Sequence, residues 1–188
     1  MRRVILLEHV SLDGYLAGPQ GEMDWINTDD DVWHYVHPVL DGADTVIWGR
    51  VTYEMMEEYW PNAPDRPDST QHDLHHGLWL RNATKIVLSK SLTQSTWPNT
   101  RVLHGDPSDV IASLKREPGK NIVLIGSASV ARAFIDRGLI DEFRFTLNPV
   151  MLGGGTSLFP NQGARADLKL VGSNSLGSGV VALHYEKG

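Results

Sequence analysis

Three short segments of this chain combine residue types that bind phosphate groups, and each follows a run of apolar residues. They are Gly49-Arg50-Val51-Thr52, Ser89-Lys90 and Gly126-Ser127-Ala128-Ser129. Glycine lets a ligand approach the backbone, hydroxyls form hydrogen bonds, and arginine can bind a phosphate with two parallel hydrogen bonds. A helix cap or a solvated surface cation explains any one segment as well. Together, at the ends of three separate apolar runs, they predict a nucleotide site.

The three segments suit different parts of a dinucleotide. Gly126 leaves room for a pyrophosphate, and Ser127 is expected both to cap the following helix and to offer a hydroxyl. Arg50 brings a guanidinium to the Gly49-Arg50-Val51-Thr52 segment. Ser89 and Lys90 supply a hydroxyl and a cation of the kind that an adenosine 2′-phosphate needs, although an exposed lysine is usually only solvated.

The elements that position these segments can be read from the apolar pattern. Runs rich in β-branched residues predict about eight strands, at residues 4–7, 45–47, 85–88, 101–103, 122–125, 143–147, 168–171 and 180–183. Capping residues and apolar periodicity predict helices at residues 28–39, 106–118 and 127–138. Strands that alternate with helices indicate an α/β fold with a mainly parallel sheet covered on both faces, and the helix-free tail after Phe143 indicates an antiparallel end.

Composition limits the possible functions. The 188 residues carry a formal net charge of −6, which gives no support to a nucleic-acid surface. Cysteine is absent, so disulfides and thiolate zinc sites are excluded. The apolar run after Met1-Arg2-Arg3 is too short for a signal peptide or a membrane span. We expect one domain over residues 1–188, in the cytoplasm, with no nucleic-acid or membrane partner.

Three further groups of residues have competing explanations. His72, Asp73, His75 and His76 are spaced like metal ligands on a helix, but adjacent histidines diverge, and we expect no metal. Trp48 precedes Gly49-Arg50 and either faces the ligand or lies in the core. Asp13, before Gly14, either contacts substrate or forms an Asx turn.

A set of ordered motifs covers nearly the whole chain. It comprises Ser11-Leu12-Asp13-Gly14-Tyr15-Leu16-Ala17, Gly21, Asp24-Trp25, Gly49-Arg50-Val51-Thr52-Tyr53-Glu54, Leu88-Ser89-Lys90-Ser91-Leu92, Gly126-Ser127-Ala128, Gly138-Leu139-Ile140-Asp141-Glu142, Pro149-Val150-Met151-Leu152-Gly153-Gly154-Gly155 and Leu158-Phe159. In order and spacing the chain resembles the dihydrofolate reductase superfamily. It is more similar to the branch of the C-terminal reductase domain of the bifunctional riboflavin-biosynthesis deaminase/reductase. This resemblance implies a three-layer fold of the dihydrofolate reductase type.

The resemblance also implies an NADPH-dependent reductase and a role for each matching residue. Gly49, Arg50 and Thr52 would contact the cofactor phosphates, Ser89 and Lys90 the 2′-phosphate, and Gly126, Ser127 and Ala128 the pyrophosphate. Gly153 and Gly154 would border the nicotinamide, unless they only form a flexible hairpin connection. Asp13 becomes the first candidate for the catalytic residue. Asp30 or Asp31 falls near the acid that binds pterin in dihydrofolate reductases, but the helix dipole alone also explains acids in a first turn.

The function that these expectations favour is hydride transfer from NADPH to a small heterocyclic or imine-like substrate, similar to 5-amino-6-(5-phosphoribosylamino)uracil reductase. Two alternatives remain: a true dihydrofolate reductase, and a non-enzymatic protein that binds NADPH or serves in assembly. The chain lacks the cysteines of the deaminase that accompanies the riboflavin-pathway reductase. The resemblance, the six tryptophans and the apolar strands of the tail predict a homodimer.

Overall fold

A computed structural model describes residues 1–159 and 165–188 of the chain. The strands are β1 (Val4–Ser11), β2 (Tyr15–Ala17), β3 (Ala43–Gly49), β4 (Thr84–Leu88), β5 (Thr100–Leu103), β6 (Asn121–Ile125), β7 (Glu142–Asn148), β8 (Thr156–Ser157), β9 (Leu168–Ser175) and β10 (Val181–Lys187). The helices are α1 (Asp30–Asp41), α2 (Arg50–Tyr59), α3 (Gln71–Asn82), α4 (Pro107–Arg116) and α5 (Ala128–Asp136), with a short 3₁₀ turn at Ala63–Asp65.

Eight of these strands form one mixed sheet in the order β5-β4-β3-β6-β1-β7-β10-β9. The neighbours from β5 through β7 are parallel, whereas β10 runs antiparallel to both β7 and β9. The predicted α/β class, all eight predicted strand positions and the antiparallel C-terminal end are therefore confirmed. The structure adds a second, two-stranded sheet of β2 and β8, which the sequence pattern did not reveal because both strands are very short.

Helices cover both faces of the sheet, and β1 contributes to both sides because its side chains alternate. Leu6 packs in the core cluster that contains Phe134 of α5 and Ile111 of α4. Ile5 and Leu7 pack in a separate cluster with residues of α1. β1 therefore lies at the centre of a three-layer molecule, buried on both faces.

The predicted helices start close to where the sequence placed them. α4 begins at Pro107 with Asp106 as its cap, as predicted. α1 is capped by Asp29, whose carboxylate accepts a hydrogen bond from the Val32 N–H, so the choice of Thr28 as cap was one residue early. The sequence analysis assigned no helix to α2 or α3. The capping box of Thr70 and Asp73 is the signal that could have located α3.

A buried lysine caps the C-terminal end of α3. Lys85 on β4 is fully buried, and its Nζ donates hydrogen bonds to the carbonyls of Leu80 at 2.7 Å and Ala83 at 2.8 Å. The same ammonium lies 4.9 Å from the ring centre of Trp97. Burial lowers the pKa of Lys85 to about 8. A cation thus binds carbonyls that a helix end leaves without partners.

Among the residues that the structure describes, no helix has the length and apolar character required to cross a bilayer.

Candidate functional site

The carboxyl ends of β1, β3, β4 and β6 border a cleft of about 660 Å³. All the predicted cofactor residues except Gly153 and Gly154 line it: Gly49, Arg50, Thr52, Ser89, Lys90, Gly126, Ser127 and Ala128. Parallel strands place their carboxyl ends at the same edge of a sheet, which is where open α/β sheets bind ligands. Segments that lie up to 79 residues apart in the sequence, Gly49 to Ala128, thus meet at one place.

The turns after β3 and β6 are joined by a direct hydrogen bond. The N–H of Gly49 donates to Oγ of Ser127 at 2.8 Å. A Cβ at Gly49 would lie 3.1 Å from Cγ2 of Val130, so Val130 would have to shift to admit a larger residue. The predicted capping role of the Ser127 side chain is wrong. Its hydroxyl binds the neighbouring turn and makes no cap hydrogen bond to α5.

The backbone of the β6 turn is shaped for a ligand. Gly126 has φ +65° and Ser127 has φ +63°, so two consecutive residues adopt the left-handed conformation. For Ser127 this conformation is unusual and costs energy. It directs the chain into α5, where the first N–H groups have no partner within the helix. Such a terminus attracts anions through these groups and through the helix dipole.

Arg50 and Lys90 bring positive charge to the other two strand ends. Arg50 opens α2, and its half-exposed guanidinium forms an ion pair with Glu54 at 2.8 Å, one turn along the helix. An exposed pair of this kind is weak and exchanges partners readily. Oγ of Ser89 accepts hydrogen bonds from the N–H groups of Ser91 and Leu92, which shapes the turn that carries Lys90.

Three hydrogen bonds hold the carboxylate of Asp13. Its carboxylate accepts hydrogen bonds from Oγ of Ser11 at 2.7 Å and from the N–H groups of Leu152 at 3.1 Å and Gly153 at 2.8 Å. The Ser11 hydroxyl, followed by the Gly153 N–H, holds the pKa of Asp13 below its usual value. Asp13 is not among the residues that line the cleft. Asp13 thus joins the end of β1 to the glycine loop, and these contacts are not those of the predicted Asx turn, because the N–H of Tyr15 donates to Oγ of Ser11 instead.

Within that loop the third glycine is the most constrained. Gly155 has φ +120°, and a side chain there would lie 2.1 Å from the carbonyl oxygen of Ala17. Gly153 has φ +69° and open space around it. The loop leads into β8, where Thr156 lines the cleft. Gly153 and Gly154 therefore precede a residue that lines the cleft but do not line it themselves.

Glu8 is the functional candidate that the sequence analysis missed. It lies on β1, is 4% exposed, and lines the cleft. Its Oε2 accepts a hydrogen bond from the N–H of Gly126 at 3.0 Å, while no donor in residues 1–159 and 165–188 reaches Oε1. Burial raises the pKa of Glu8 to about 8. The signal in the sequence is a lone acid within the apolar run from Val4 to Val10.

His9, the next residue, also lines the cleft. Its Nδ1 lies 2.5 Å from Oγ1 of Thr146, and its ring meets the edge of Trp33 with 6.0 Å between ring centres. Burial lowers the pKa of His9 to about 4, so the imidazole is neutral at pH 7. The two adjacent polar residues of β1 thus bring uncharged groups to the cleft.

The remaining candidates from the sequence lie elsewhere. Asp30 and Asp31 are in the first turn of α1, and Asp31 accepts a hydrogen bond from the Gly177 N–H. Trp48 is fully buried in a core cluster and stacks on Trp97.

Among the four α3 residues that are spaced like metal ligands, His72 and His75 share a partner, since both rings stack on His37 of α1. Asp73 belongs to the helix cap, His75 pairs with Asp41, His72 lies 3.1 Å from His37, and His76 stacks on Trp60. Elsewhere, Glu142, His184 and Glu186 place one ligand atom each within 4.8 Å of one another, but Arg3 and Arg144 already pair with Glu142.

Comparisons with known proteins give the chain a family. Residues 2–182 match the model of the RibD C-terminal domain. Two Bacillus subtilis proteins are similar along nearly their whole length. The uncharacterized protein YyaP is 36% identical over 187 residues, which cover 98% of this chain and 94% of YyaP. The uncharacterized protein YwjB is 30% identical over 185 residues, which cover 98% of this chain and 97% of YwjB.

Two solved structures share the fold. A putative riboflavin biosynthesis protein from Shewanella is 22% identical with a TM-score of 0.78, and the match covers 99% of each chain. The deaminase/5-amino-6-(5-phosphoribosylamino)uracil reductase of Thermotoga maritima is 17% identical with a TM-score of 0.70, and this chain spans 57% of it. The chain belongs to the RibD C-terminal domain family, within the dihydrofolate reductase-like superfamily.

Proposed function

We propose that this member of the RibD C-terminal domain family is a reductase that uses NADPH to reduce a small heterocyclic or imine-like compound. The observation that carries the proposal is the meeting of three phosphate-suited turns, after β3, β4 and β6, at one cleft. Each turn alone has an ordinary structural explanation. Their convergence does not follow from helix capping or from surface solvation.

The residues of the cleft fit an NADPH molecule in three respects. The pyrophosphate would bind at Gly126, Ser127 and Ala128, where left-handed backbone and the start of α5 present N–H groups. Gly49 keeps the neighbouring turn free of a side chain, and Arg50 supplies a guanidinium beside it. When bound, the cofactor supplies a hydride, and the protein supplies orientation and electrostatics.

The cations of the cleft predict a preference for NADPH over NADH. Lys90 lies after β4 beside Ser89, and both line the cleft together with Arg50. Charge-assisted hydrogen bonds to a phosphate are worth about 1.5–3 kcal/mol each. One such contact to the 2′-phosphate would favour NADPH by roughly tenfold or more.

The acceptor would lie against the apolar part of the same cleft, which includes Leu16, Met23, Ile26 and Met55. Apolar walls suit a planar heterocycle, and methionine adapts to its outline. The Thermotoga maritima relative is named for reduction of an aminouracil. Aminopyrimidines are therefore the first acceptors to test, followed by pterins and small carbonyl compounds.

The test begins with cofactor binding, because binding requires no substrate. Titration with NADPH and NADH should give a lower dissociation constant for NADPH, and Arg50→Ala should weaken NADPH by roughly tenfold. Arg101→Ala is the matched control, since Arg101 also forms an exposed ion pair but is absent from the residues that line the cleft. Equal affinity for both cofactors, or equal effects of the two variants, would contradict the proposal.

Turnover is then followed by NADPH absorbance across the panel of acceptors. Fast reduction of dihydrofolate with tight antifolate binding would identify a dihydrofolate reductase instead. NADPH binding without oxidation by any acceptor would favour the non-enzymatic alternative.

A further inference from the structure

Glu8 is a buried acid that lines the ligand cleft and has no cationic partner among residues 1–159 and 165–188. Its Oε2 is fixed by the Gly126 N–H at 3.0 Å, and within the described chain Oε1 has no hydrogen-bond donor although it is buried. An ionised carboxylate in such a place would lose its hydration with only one hydrogen bond in return. The stable form of the side chain is therefore the neutral acid, with a proton to give.

The position of Glu8 links that proton to cofactor binding. Gly126, which binds Oε2, is the first residue of the turn proposed to hold the pyrophosphate. A negative charge on Glu8 would repel phosphates bound to that turn, and bound phosphates would in turn hold the proton on Glu8. The other ionisable groups that line the cleft are His9 on β1, Arg50 on α2, Lys90 after β4 and Arg132 on α5.

Reduction of a polarised C=N or C=O bond requires one proton in addition to a hydride. Asp13, the acid that the sequence favoured, is bound to Ser11, Leu152 and Gly153. His9 is held neutral by burial and is a poor proton donor at pH 7. Glu8 is buried and lies in the wall of the cleft. Its Oε1 accepts no hydrogen bond from any group in the described chain.

Resting on the function proposed above, we propose that Glu8 enters the NADPH complex as a neutral carboxylic acid and is the catalytic proton donor. Oε2 stays bound to the Gly126 N–H, and the proton on Oε1, an atom that is buried in the unliganded protein, passes to the nitrogen or oxygen of the acceptor through one water molecule. The hydride forms the new C–H bond, the proton forms the new N–H or O–H bond, and Glu8 is left as a carboxylate. Water returns the proton after the product leaves.

The inference can be tested without any acceptor. Carbon-13 NMR of the glutamate carboxyls should show one signal that titrates near pH 8 and is lost in Glu8→Gln. Above this pH the affinity of the wild-type protein for NADPH should fall by up to about tenfold per pH unit. Calorimetry at pH 8.5 in two buffers of different ionisation enthalpy should report proton uptake on binding.

Glu8→Gln keeps the shape of the side chain and cannot ionise. The variant should therefore bind NADPH without proton uptake, and its affinity should not show the decrease above about pH 8 that is expected for the wild type. Glu58→Gln, at an exposed position of α2, is the matched control and should behave like the wild type. With any acceptor that the panel identifies, Glu8→Gln should slow the chemical step about 10²–10⁴-fold and leave NADPH affinity at pH 7 unchanged.

Three results would overturn the inference. One is a Glu8 signal that titrates near the ordinary glutamate value, and another is equal proton uptake by the wild type and Glu8→Gln. The third is undiminished turnover by Glu8→Gln. In these cases NADPH still binds, so the proposed function survives. If NADPH binds to none of the proteins, both the proposed function and the role of Glu8 are rejected.

Discussion

At the residue scale, the carboxylate of Asp13 joins two parts of the chain that lie far apart in the sequence. It accepts hydrogen bonds from the N–H groups of Leu152 and Gly153, on the loop that follows β7. An asparagine has only one oxygen to accept them, because its amide nitrogen is a donor. Asp13→Asn should therefore loosen this loop.

The prediction for Asp13→Asn is several-fold faster hydrogen exchange at Leu152 and Gly153, with NADPH affinity nearly unchanged. Asp24→Asn, at an exposed aspartate of the neighbouring loop, should leave that exchange as it is. A large loss of turnover with an intact loop would instead support Asp13 as the group that reacts. The exchange rates are measured by NMR, and the NADPH dissociation constants by titration.

The difference between Asp13 and Glu8 explains how far residue types predict a site. The small and charged residues at the three strand ends could be recognised because each follows an apolar run. Glu8 lies inside such a run, where its neighbours indicate only a buried strand. Its importance depends on Gly126, 118 residues away, which the sequence pattern does not bring close. The hydroxyl of Ser127 likewise binds a residue, Gly49, that lies 78 positions away in the sequence.

At the element scale, the β6 turn is a part of the cleft that tolerates little change. Gly126 has φ +65°, and an added Cβ would lie 3.2 Å from Cγ2 of Thr52. Gly126→Val would place a branched side chain where the pyrophosphate is proposed to approach, so NADPH binding should be abolished. The unfavourable backbone conformation should also cost about 1–2 kcal/mol of stability.

A control separates loss of the ligand contact from backbone strain. Gly105 has φ +123° with nothing within 4 Å of its added Cβ, and it does not line the cleft. Gly105→Val should destabilise the protein but leave NADPH affinity unchanged. Retained affinity in folded Gly126→Val would place the cofactor elsewhere. Titration with NADPH and thermal unfolding of both variants check this prediction.

The contact between α1 and α3 predicts a stability that depends on pH. His72 stacks on Trp33 with 3.5 Å between ring centres and lies beside His37. Burial, with a smaller contribution from His37, lowers the pKa of His72 to about 4, while Asp73 opposes the shift. Because the unfolded chain binds the proton more tightly, stability should fall as the pH decreases from about 6.5 to about 4.

His72→Phe keeps an aromatic ring on Trp33 and removes the titration. The decrease in melting temperature between pH 7 and pH 5 should be smaller in this variant than in the wild type. The raised pKa of Glu8 changes stability in the opposite direction over the pH range from 4.5 to about 8. Because both proteins contain Glu8, this contribution cancels when their melting temperatures are compared at the same pH. Equal decreases in both proteins would show that His72 does not titrate in this way.

The regular elements were more predictable than their connections. Each long strand carries its own apolar run, so all eight were found. α3 could not be predicted from apolar periodicity because polar and apolar residues occur on all sides of the helix. His76 and Leu80 are buried, whereas Leu78 is exposed. Its contacts with α1 and with the 3₁₀ turn are tertiary facts that periodicity does not encode.

At the scale of the whole molecule, the expected homodimer has a candidate surface on β9. This strand lies at one edge of the main sheet and exposes Leu168, Leu170 and Val171. An edge strand with exposed apolar side chains readily pairs with another chain. We therefore predict a homodimer through β9, and we retain the prediction of one domain over residues 1–188.

Light scattering at micromolar concentration should report the mass of a dimer for the wild type and of a monomer for Leu170→Lys. Leu78→Lys, at an equally exposed leucine of α3, should remain a dimer. A monomeric wild type would refute the prediction, and a dimeric Leu170→Lys would place the interface elsewhere.

The buried amine of Lys85 also provides a built-in probe of local opening at the end of α3. Burial lowers the pKa of this amine to about 8 and also keeps reagents away from it, and on exposure the pKa returns to the ordinary 10.5, so that the amine then reacts like any exposed lysine. An acylating reagent can reach it only when the end of α3 separates from β4. The ratio of the acylation rate of Lys85 to that of exposed Lys90 therefore measures how often the end of α3 opens. No label has to be introduced into the protein.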